Sequence, residues 1–296
     1  MNKIQCSIGV FAYNEDNNIK FLLNSLITQK LTQTIIKEII VVSSGSTDQT
    51  NTIVKDFQKK YDYIKLIIQE ERKGKASAIN LFMKNAISEI LVISSADIIP
   101  HYNTIEKLIK PFRNPYIGMT GGRPIPQNTN KLLLGYSVRL LWKLHHQISI
   151  YKPKLGEMIA FRKIFDSIPE TTTTDEAYIE ALITKKNLSC LYVADAIIIN
   201  KGPLNIQEFI NQRKRIAIGH LWLKKEMNYS VSSNQITLLI YLFFFECLKH
   251  PMNIRYTCFT ALLEIYSRFL AYLDFKVNKT NPYIWKIAQS TKNLVD

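Results

Sequence analysis

The amino-terminal half of the chain alternates between short, nearly continuous apolar runs and segments with helical spacing. The runs Cys6–Tyr13, Glu38–Ser44, Ile64–Gln69 and Glu89–Ser95 show little in/out alternation. Such runs are strands buried on both faces. Between them Ile19, Leu22, Leu23 and Leu26 recur at helical spacing. Ile53, Val54 and Phe57 follow behind Asp48, which can cap a helix, and Ala76, Ile79, Met83 and Ile87 mark a third helix. Strands alternating with helices predict an α/β fold, a doubly wound, mostly parallel sheet with helices on both faces.

The second half is less regular. "YIGMTGG" reads as a strand, residues 131–149 as a helix and Glu157–Arg162 as a strand. The run Thr171–Thr174 leads into "DEAYIEALITKK", a helix opened by two acids, which suits the positive end of the helix dipole. "LSCLYV" and "AIIIN" read as two short strands, and residues 206–227 as a basic helix. The tail from Gln235 differs. Its first apolar run, Ile236–Leu248, carries one charge, Glu246; Pro251 interrupts it, and the second run carries Arg255, Glu264 and Arg268. A membrane span needs about 20 apolar residues. The expectation is therefore a helical hairpin lying on or dipping into a membrane face, with a packing hairpin or dimer interface as the other reading. This divides the chain into an α/β domain, residues 1–230, and an apolar helical segment, residues 231–296.

Composition narrows the classes. A chain of 296 residues with 47% hydrophobic and 21% charged residues can bury a sizeable core. The net charge of +14 fits nucleic acid, an anionic membrane surface or phosphate-bearing ligands. The cations gather beside the apolar tail instead of among exposed aromatics, which argues against nucleic acid. The four cysteines have no metal-site or disulfide spacing, so reduced thiols are expected. The amino terminus runs straight into a strand pattern without a signal-peptide apolar region, so the α/β part is expected in the cytoplasm.

Polar and acidic groups stand in the loops after the strands: Asn14-Glu15-Asp16, Ser46-Thr47-Asp48, Asp97 and Asp175-Glu176, with Lys73-Gly74-Lys75 between them. In open α/β sheets, ligands bind beyond the carboxyl ends of the strands. In "VISSADIIP" a single carboxylate, Asp97, emerges where a buried strand ends. Neither a Walker pattern nor a GxGxxG follows the first strand, so both common nucleotide fingerprints are missing.

These phrases, in this order, resemble the inverting family 2 glycosyltransferases of GT-A fold. "FAYNEDNNI", "VSSGSTDQT", "RKGKASAIN", "SSADIIP" and "DEAYIEALI" stand where that family has its opening loop, second-strand loop, Gly-Lys loop, DxD motif and acidic helix start. "QRKRIAIGH" stands where membrane-linked members have QxxRW. The resemblance covers residues 4 to about 225 and implies a GT-A domain with a C-terminal helical tail.

It further implies that Ala12, Tyr13, Glu15, Ser44, Lys75 and Asp97 line a nucleotide-sugar pocket, and that Asp97 holds Mg²⁺ or Mn²⁺. Ser95 replaces the first acid of DxD, and a serine, Ser43 or Ser44, stands where the family's base-contacting Asp is usual. Asp175 or Glu176 becomes the general base: matching position by position favours Glu176, and the threonine-led helix start favours Asp175. Gln212, Arg213 and Arg215 fall to the diphosphate or acceptor, and Ile216 in place of Trp argues against a processive synthase. The implied reaction is metal-dependent, inverting transfer from a nucleotide-sugar to a lipid-linked or glycan acceptor near the cytoplasmic face of a membrane, with the protein peripheral or monotopic. The competing readings are a degenerate, non-catalytic nucleotide-sugar-binding or scaffold protein, supported by the incomplete DxD, and a nucleotidyltransferase, whose Gly-rich Arg-Lys signature is missing.

Overall fold

Strands that are apolar throughout must be covered on both faces, and the chain arranges this with alternating helices. The structure, a computed structural model, describes residues 2–232 and 236–294. Four parallel strands, β1 (Ile4–Ala12), β2 (Thr34–Ser44), β3 (Ile64–Gln69) and β4 (Ile90–Ser95), lie in the order β3-β2-β1-β4. Helices α1 (Ile19–Ile27) and α2 (Thr50–Gln58) bury Leu22, Leu23 and Val54 on one face against Ile8, Val10 and Val41. Helix α3 (Lys75–Asn85) buries Ile79, Phe82 and Met83 on the other against Phe11, Ile40 and Val42. On the pleat, alternate residues of one strand serve opposite layers.

The sheet continues with reversed polarity. After the two-residue β5 (Ile99–Pro100) and α4 (Thr104–Ile109) come β6 (Ile117–Pro126), α5 (Leu133–Tyr151), β7 (Met158–Arg162), α6 (Asp175–Lys185) and β8 (Ser189–Asn200). Strand β7 runs antiparallel between β4 and β6, and the full order is β3-β2-β1-β4-β7-β6-β8-β5. This is the mostly parallel, two-layered-on-both-sides architecture that the alternating pattern predicts. The two expected short strands after α6 are one strand. Its pairing with β6 slips where Gly121↔Tyr192 gives way to Arg123↔Ile197, and the extra residues there, Val193–Ala196, make the apparent break in the sequence.

The antiparallel insertion has a consequence for the ligand edge. Ser94 pairs with Met158, Phe11 with Ser95, and Ala12 with Ser43. The carboxyl ends of β1, β2 and β4 therefore finish level with the amino end of β7.

Three helices follow: α7 (Ile206–Met227), α8 (Ile236–Lys249) and α9 (Ile254–Leu273). Gln235, where the tail was expected to begin, lies outside the described residues. A 3-10 turn at Pro251–Asn253 separates α8 from α9, as the proline suggests, and α9 packs along α7. No helix among the described residues is long and apolar enough to cross a membrane.

Beyond α9 the chain turns at Lys279, in the left-handed region at φ 51°, and residues 280–294 return across the ligand edge. The Arg72 guanidinium donates to the Trp285 carbonyl at 2.6 Å. The Leu294 amide donates to Asn18 Oδ1 at 3.0 Å, and Lys292 Nζ donates to the Tyr13 carbonyl at 2.9 Å and pairs with the Glu15 carboxylate. This returning strap, joined to a loop some 277 residues earlier, was not anticipated from the sequence.

Burial and the neighbouring Asp97 push the Glu15 carboxyl up to about 7, against the pull of Lys292. A carboxyl whose folded pKa exceeds its unfolded value binds extra protons in the native state, so stability falls as pH rises between the two values. Lys292→Met removes the cation and lifts the folded value further. The variant is expected to match the parent near pH 5 and to lose stability progressively toward pH 8. Each further tenfold gain in proton affinity costs about 1.4 kcal/mol there. Urea unfolding at the two pH values checks this, and a loss that is the same at both would refute it.

Candidate active site

The loops at the carboxyl ends of the strands enclose a cavity of about 1690 Å³. One wall comes from the loops after β1 and β2, which are clasped together. Asn14, at φ 52°, takes the Thr47 amide on its side-chain oxygen at 2.8 Å and donates its own amide to Ser46 Oγ at 3.1 Å. The Glu15 amide donates to Thr50 Oγ1 at 2.8 Å and the Asp16 amide to Asp48 Oδ2 at 3.1 Å. Asp48 also accepts the Thr50 amide at 3.0 Å, the first amide of α2, while the N-cap position itself is Gln49, which makes no side-chain cap bond. This clasp fixes Ala12, Tyr13, Glu15 and Ser44 along the cavity, with the Arg72 guanidinium 4.2 Å from the centre of the Tyr13 ring.

The next loop delivers Lys75. Gly74 precedes α3 at φ 90°, a conformation that only glycine adopts without strain. A Cβ there would also stand 3.1 Å from the Tyr283 carbonyl of the strap. Lys75 is consequently the first residue of α3, and its ammonium lies 2.7 Å from Glu176 Oε1 and 3.6 Å from Asp175 Oδ2. Burial alone would depress the ammonium, but Glu176 and Asp175 together hold it well above the ordinary lysine range.

The two acids respond differently. Asp175 is 2% exposed, and its Oδ1 has no hydrogen-bond partner among the described residues. Burial pushes its carboxyl up to about 6, with Lys75 pulling back and Glu176 adding to the rise. Glu176 is also opposed by burial, but its direct bond to Lys75 brings it below the ordinary carboxylate range.

Asp97 lies in the turn after β4. Facing it is Glu157, just before β7, held at φ 61° and accepting from Asn200 Nδ2 at 3.2 Å. Burial, then Asp97 and Glu176, push the Glu157 carboxyl up to about 7. Glu15, Asp97 and Glu157 are thus mutually repelling acids around one space. No group of three or more His, Cys, Asp or Glu side chains among the described residues is placed to hold a metal ion. Asp97 and Glu157 could still anchor a hard cation, since Mg²⁺-type ions are commonly held by one or two carboxylates with phosphates and water completing the shell.

Glu157 went unnoticed in the sequence. It is a lone acid at the amino end of a strand, and only the antiparallel course of β7 brings that end to the ligand edge.

Helix α7 supplies the remaining side. Arg215 Nη1 donates to the Thr173 carbonyl at 3.0 Å, and its guanidinium stacks 4.0 Å from the centre of the Trp285 ring. A Cβ on Gly219 would fall 2.3 Å from Thr173 Oγ1, so glycine allows α7 to rest directly on the loop that presents Asp175. Gln212 lines the cavity. Arg213 turns elsewhere, binding Glu264 of α9 through Nε at 2.7 Å and Nη2 at 2.8 Å. All eleven residues singled out in the sequence line the same cavity, with Arg213 directed into a separate part of it.

The chain is similar to several known proteins. A stretch of 122 residues is 32% identical to poly-beta-1,6-N-acetyl-D-glucosamine synthase of Staphylococcus epidermidis, covering 41% of this chain and 29% of that protein. Another, of 116 residues, is 28% identical to glycosyltransferase AglE of Haloferax volcanii, covering 39% of this chain and 38% of that protein. The alignments thus span well under half the length of these curated relatives. Among solved structures, mannosyltransferase PcManGT from Pyrobaculum calidifontis, in complex with GDP-Man and Mn²⁺, superposes with a TM-score of 0.64 at 20% identity, over 95% of this chain and 82% of that one. The likeness extends the GT-A fold over nearly the whole chain. The sequence model of Glycosyl transferase family 2 matches residues 7–179, more than half of the chain, and the chain belongs to that family of glycosyltransferases.

Proposed function

We propose that this glycosyltransferase moves a sugar, with inversion, from a nucleotide-sugar to an acceptor near a membrane surface, using a divalent cation. The observation that carries the reading is the convergence of Asp97, Lys75 and the Asp175-Glu176 pair in one cavity at the carboxyl ends of the strands. In this reading Ala12, Tyr13, Glu15 and Ser44 form the nucleotide wall, and Asp97 with Glu157 holds Mg²⁺ or Mn²⁺. The complex of PcManGT with GDP-Man and Mn²⁺ supports such a cation and donor class. When bound, the cation neutralises the diphosphate that leaves.

The chain's own groups do the proton work. The acceptor oxygen bonds to the anomeric carbon as the carbon–oxygen bond to the diphosphate breaks, and the acceptor proton passes to an Asp175 carboxylate oxygen. A general base works best with a pKa near the operating pH, which suits Asp175 better than the ion-paired Glu176. Lys75 keeps Glu176 ionised, and Arg215 holds the 171–174 loop through the Thr173 carbonyl. Gln212 stands by the acceptor side in this reading.

The membrane placement has its own support. Ile240, Tyr241, Phe244 and Leu248 of α8, and Leu262, Ile265 and Phe269 of α9, are exposed apolar side chains on the hairpin. Lys249 and Arg255 flank its turn. An interfacial helix pair with basic flanks binds anionic leaflets by apolar burial and charge together. Within the segment after residue 230, α8 and α9 act here as the membrane-facing hairpin, and residues 280–294 return to the ligand edge.

Asp97→Asn removes the anchoring charge at constant shape; calorimetric affinity for UDP or GDP with Mn²⁺ is expected to fall sharply, and unchanged affinity would remove the metal role. Asp175→Asn is expected to lower turnover about 10²–10⁴-fold with nucleotide affinity intact, whereas Glu176→Gln frees Lys75 and weakens donor binding. A base must be deprotonated, so wild-type turnover should fall about tenfold per pH unit below about 6; a flat profile from pH 7 to 5 contradicts Asp175 as base. Nucleotide binding without turnover on any acceptor would favour the non-catalytic alternative. Flotation of the full-length protein with anionic vesicles tests the membrane face, and a protein that stays at the bottom of the gradient refutes it.

A further inference from the structure

Away from Asp175 and Glu176 the same cavity continues into a part, its second lobe, lined from α5, α7 and α9, with α9 packed against both other helices. Its polar residues are mostly cationic. Arg213 and His220 stand seven residues apart on α7, hence on one face. Arg213 and Arg268 share the single carboxylate of Glu264, Arg268 through Nε at 2.7 Å. Lys154, in the loop between α5 and β7, faces the same lobe, and among the described residues no carboxylate lies within ion-pair distance of its ammonium. Glu246 also lines the cavity but is paired with Lys143 at 2.6 Å, and Glu180 accepts the Tyr229 hydroxyl at 2.5 Å and is shifted by burial toward the neutral form.

Among the described residues, Lys154 and Arg213 thus face this lobe with Glu264, already shared with Arg268, as the one firmly ionised carboxylate beside them. Burial, Arg213 and Arg268 together push the Lys154 ammonium down to about 7. His220 is 8% exposed, and its ring makes no hydrogen bond among the described residues. A desolvated cation without a partner is costly, so the lobe is short of negative charge. Arg213 spends Nε and Nη2 on Glu264 and keeps Nη1 available for another acceptor. The lobe's remaining wall is apolar and half-buried: Trp142, Leu239, Phe243 and Ala261. Paired guanidinium groups with an ammonium suit the oxygens of a phosphate, and the wall suits an attached hydrocarbon.

We propose that this lobe binds the phosphate of an acceptor that also carries an apolar chain, with Lys154, Arg213 and Arg268 on the phosphate and the chain running out between α8 and α9. The proposal rests on the reading of the cavity as a transferase site and names its acceptor class. It gives Arg213 an acceptor role, apart from the donor pocket.

Calorimetry on the full-length protein tests it without metal, nucleotide or membrane. Decyl phosphate below its micellar concentration is titrated into wild type, Lys154→Met and Lys154→Arg, with decanol and inorganic phosphate in parallel. Methionine replaces a half-buried charge by an apolar chain of similar length, which does not endanger the fold. Lys154→Met is expected to weaken decyl phosphate by about tenfold or more, Lys154→Arg by no more than about threefold, and neither should alter decanol binding. Tighter binding of decyl phosphate than of inorganic phosphate supports the chain-bearing acceptor. Equal binding of the two points to a water-soluble phosphate and overturns the apolar-chain assignment. Identical decyl phosphate affinity in wild type and Lys154→Met, or no binding by either, overturns the site altogether. Titration of UDP and GDP with Mn²⁺ on the same samples separates this from the donor reading: lost nucleotide binding with intact phosphate binding would sink the latter alone.

Discussion

The ammonium of Lys75 is the contact on which the site depends. Asp175 and Glu176 are adjacent acids at a buried helix start, and without a cation between them one would take up a proton and the loop would lose its anchor. Lys75 supplies that cation from the other half of the chain, 101 residues away from Glu176. It does so because Gly74, at φ 90°, caps α3 directly under the strap, so that Lys75 is the first helical residue. Tension is passed outward from there. The Thr173 carbonyl before Asp175 is held by Arg215, and the Arg215 plane is covered by Trp285, whose own carbonyl is held by Arg72 from the loop beside Lys75. The circuit closes on itself, so the position of the acid pair is set by four segments together.

Much of this was legible in the sequence because the parallel strands are buried on both faces. Runs such as Glu38–Ser44 and Glu89–Ser95 admit no other placement, and the acids at their carboxyl ends fall on the ligand edge automatically. What the sequence hid depends on long-range geometry. Glu157 precedes its strand, so strand-end logic passes over it; the antiparallel course of β7 makes its amino end equivalent to the carboxyl end of β4. The strap carries Trp285 and Lys292 in a segment without periodicity, and its partners Arg215, Tyr13 and Glu15 give no local sign of it. The residue-by-residue match of "QRKRI" to a membrane-linked motif placed Arg213 and Arg215 together. Neighbours two apart on a helix point away from one another, and here they serve different lobes.

The same geometry alters how the basic charge of the chain is understood. From the sequence, the five cations between Arg213 and Lys225 look like a face for an anionic leaflet. Arg213 is bound to Glu264, Lys214 pairs with Asp274 at 2.8 Å, and Arg215 is held at the acid loop. Only Lys224 and Lys225 of that run are exposed. In the proposed membrane reading, attraction would therefore rest more on the apolar hairpin and its flanking Lys249 and Arg255 than on α7.

The cavity is electrostatically divided, and the division follows from which element ends meet. At the sheet edge Glu15, Asp97 and Glu157 gather, and two of these carboxyls are pushed up to about 7 by burial and by Asp97. Behind α7 the balance is reversed, with Lys154 pushed down to about 7 by burial and the two arginines. Each lobe is thus costly as it stands, and each would be relieved by charge of the opposite sign: a cation with its phosphates at the sheet edge, an anion among the helices. Between them stand Asp175 and Arg215, a carboxylate facing one lobe and a guanidinium on the helix that walls the other. A molecule bearing an anionic group in the inner lobe would have its remaining atoms directed back along α7 toward Asp175, where a proton can be taken. In the proposed reading, the charge deficit of the helices and the proton acceptor at the sheet would act on two parts of one acceptor, and the polar asymmetry of the cavity would orient it.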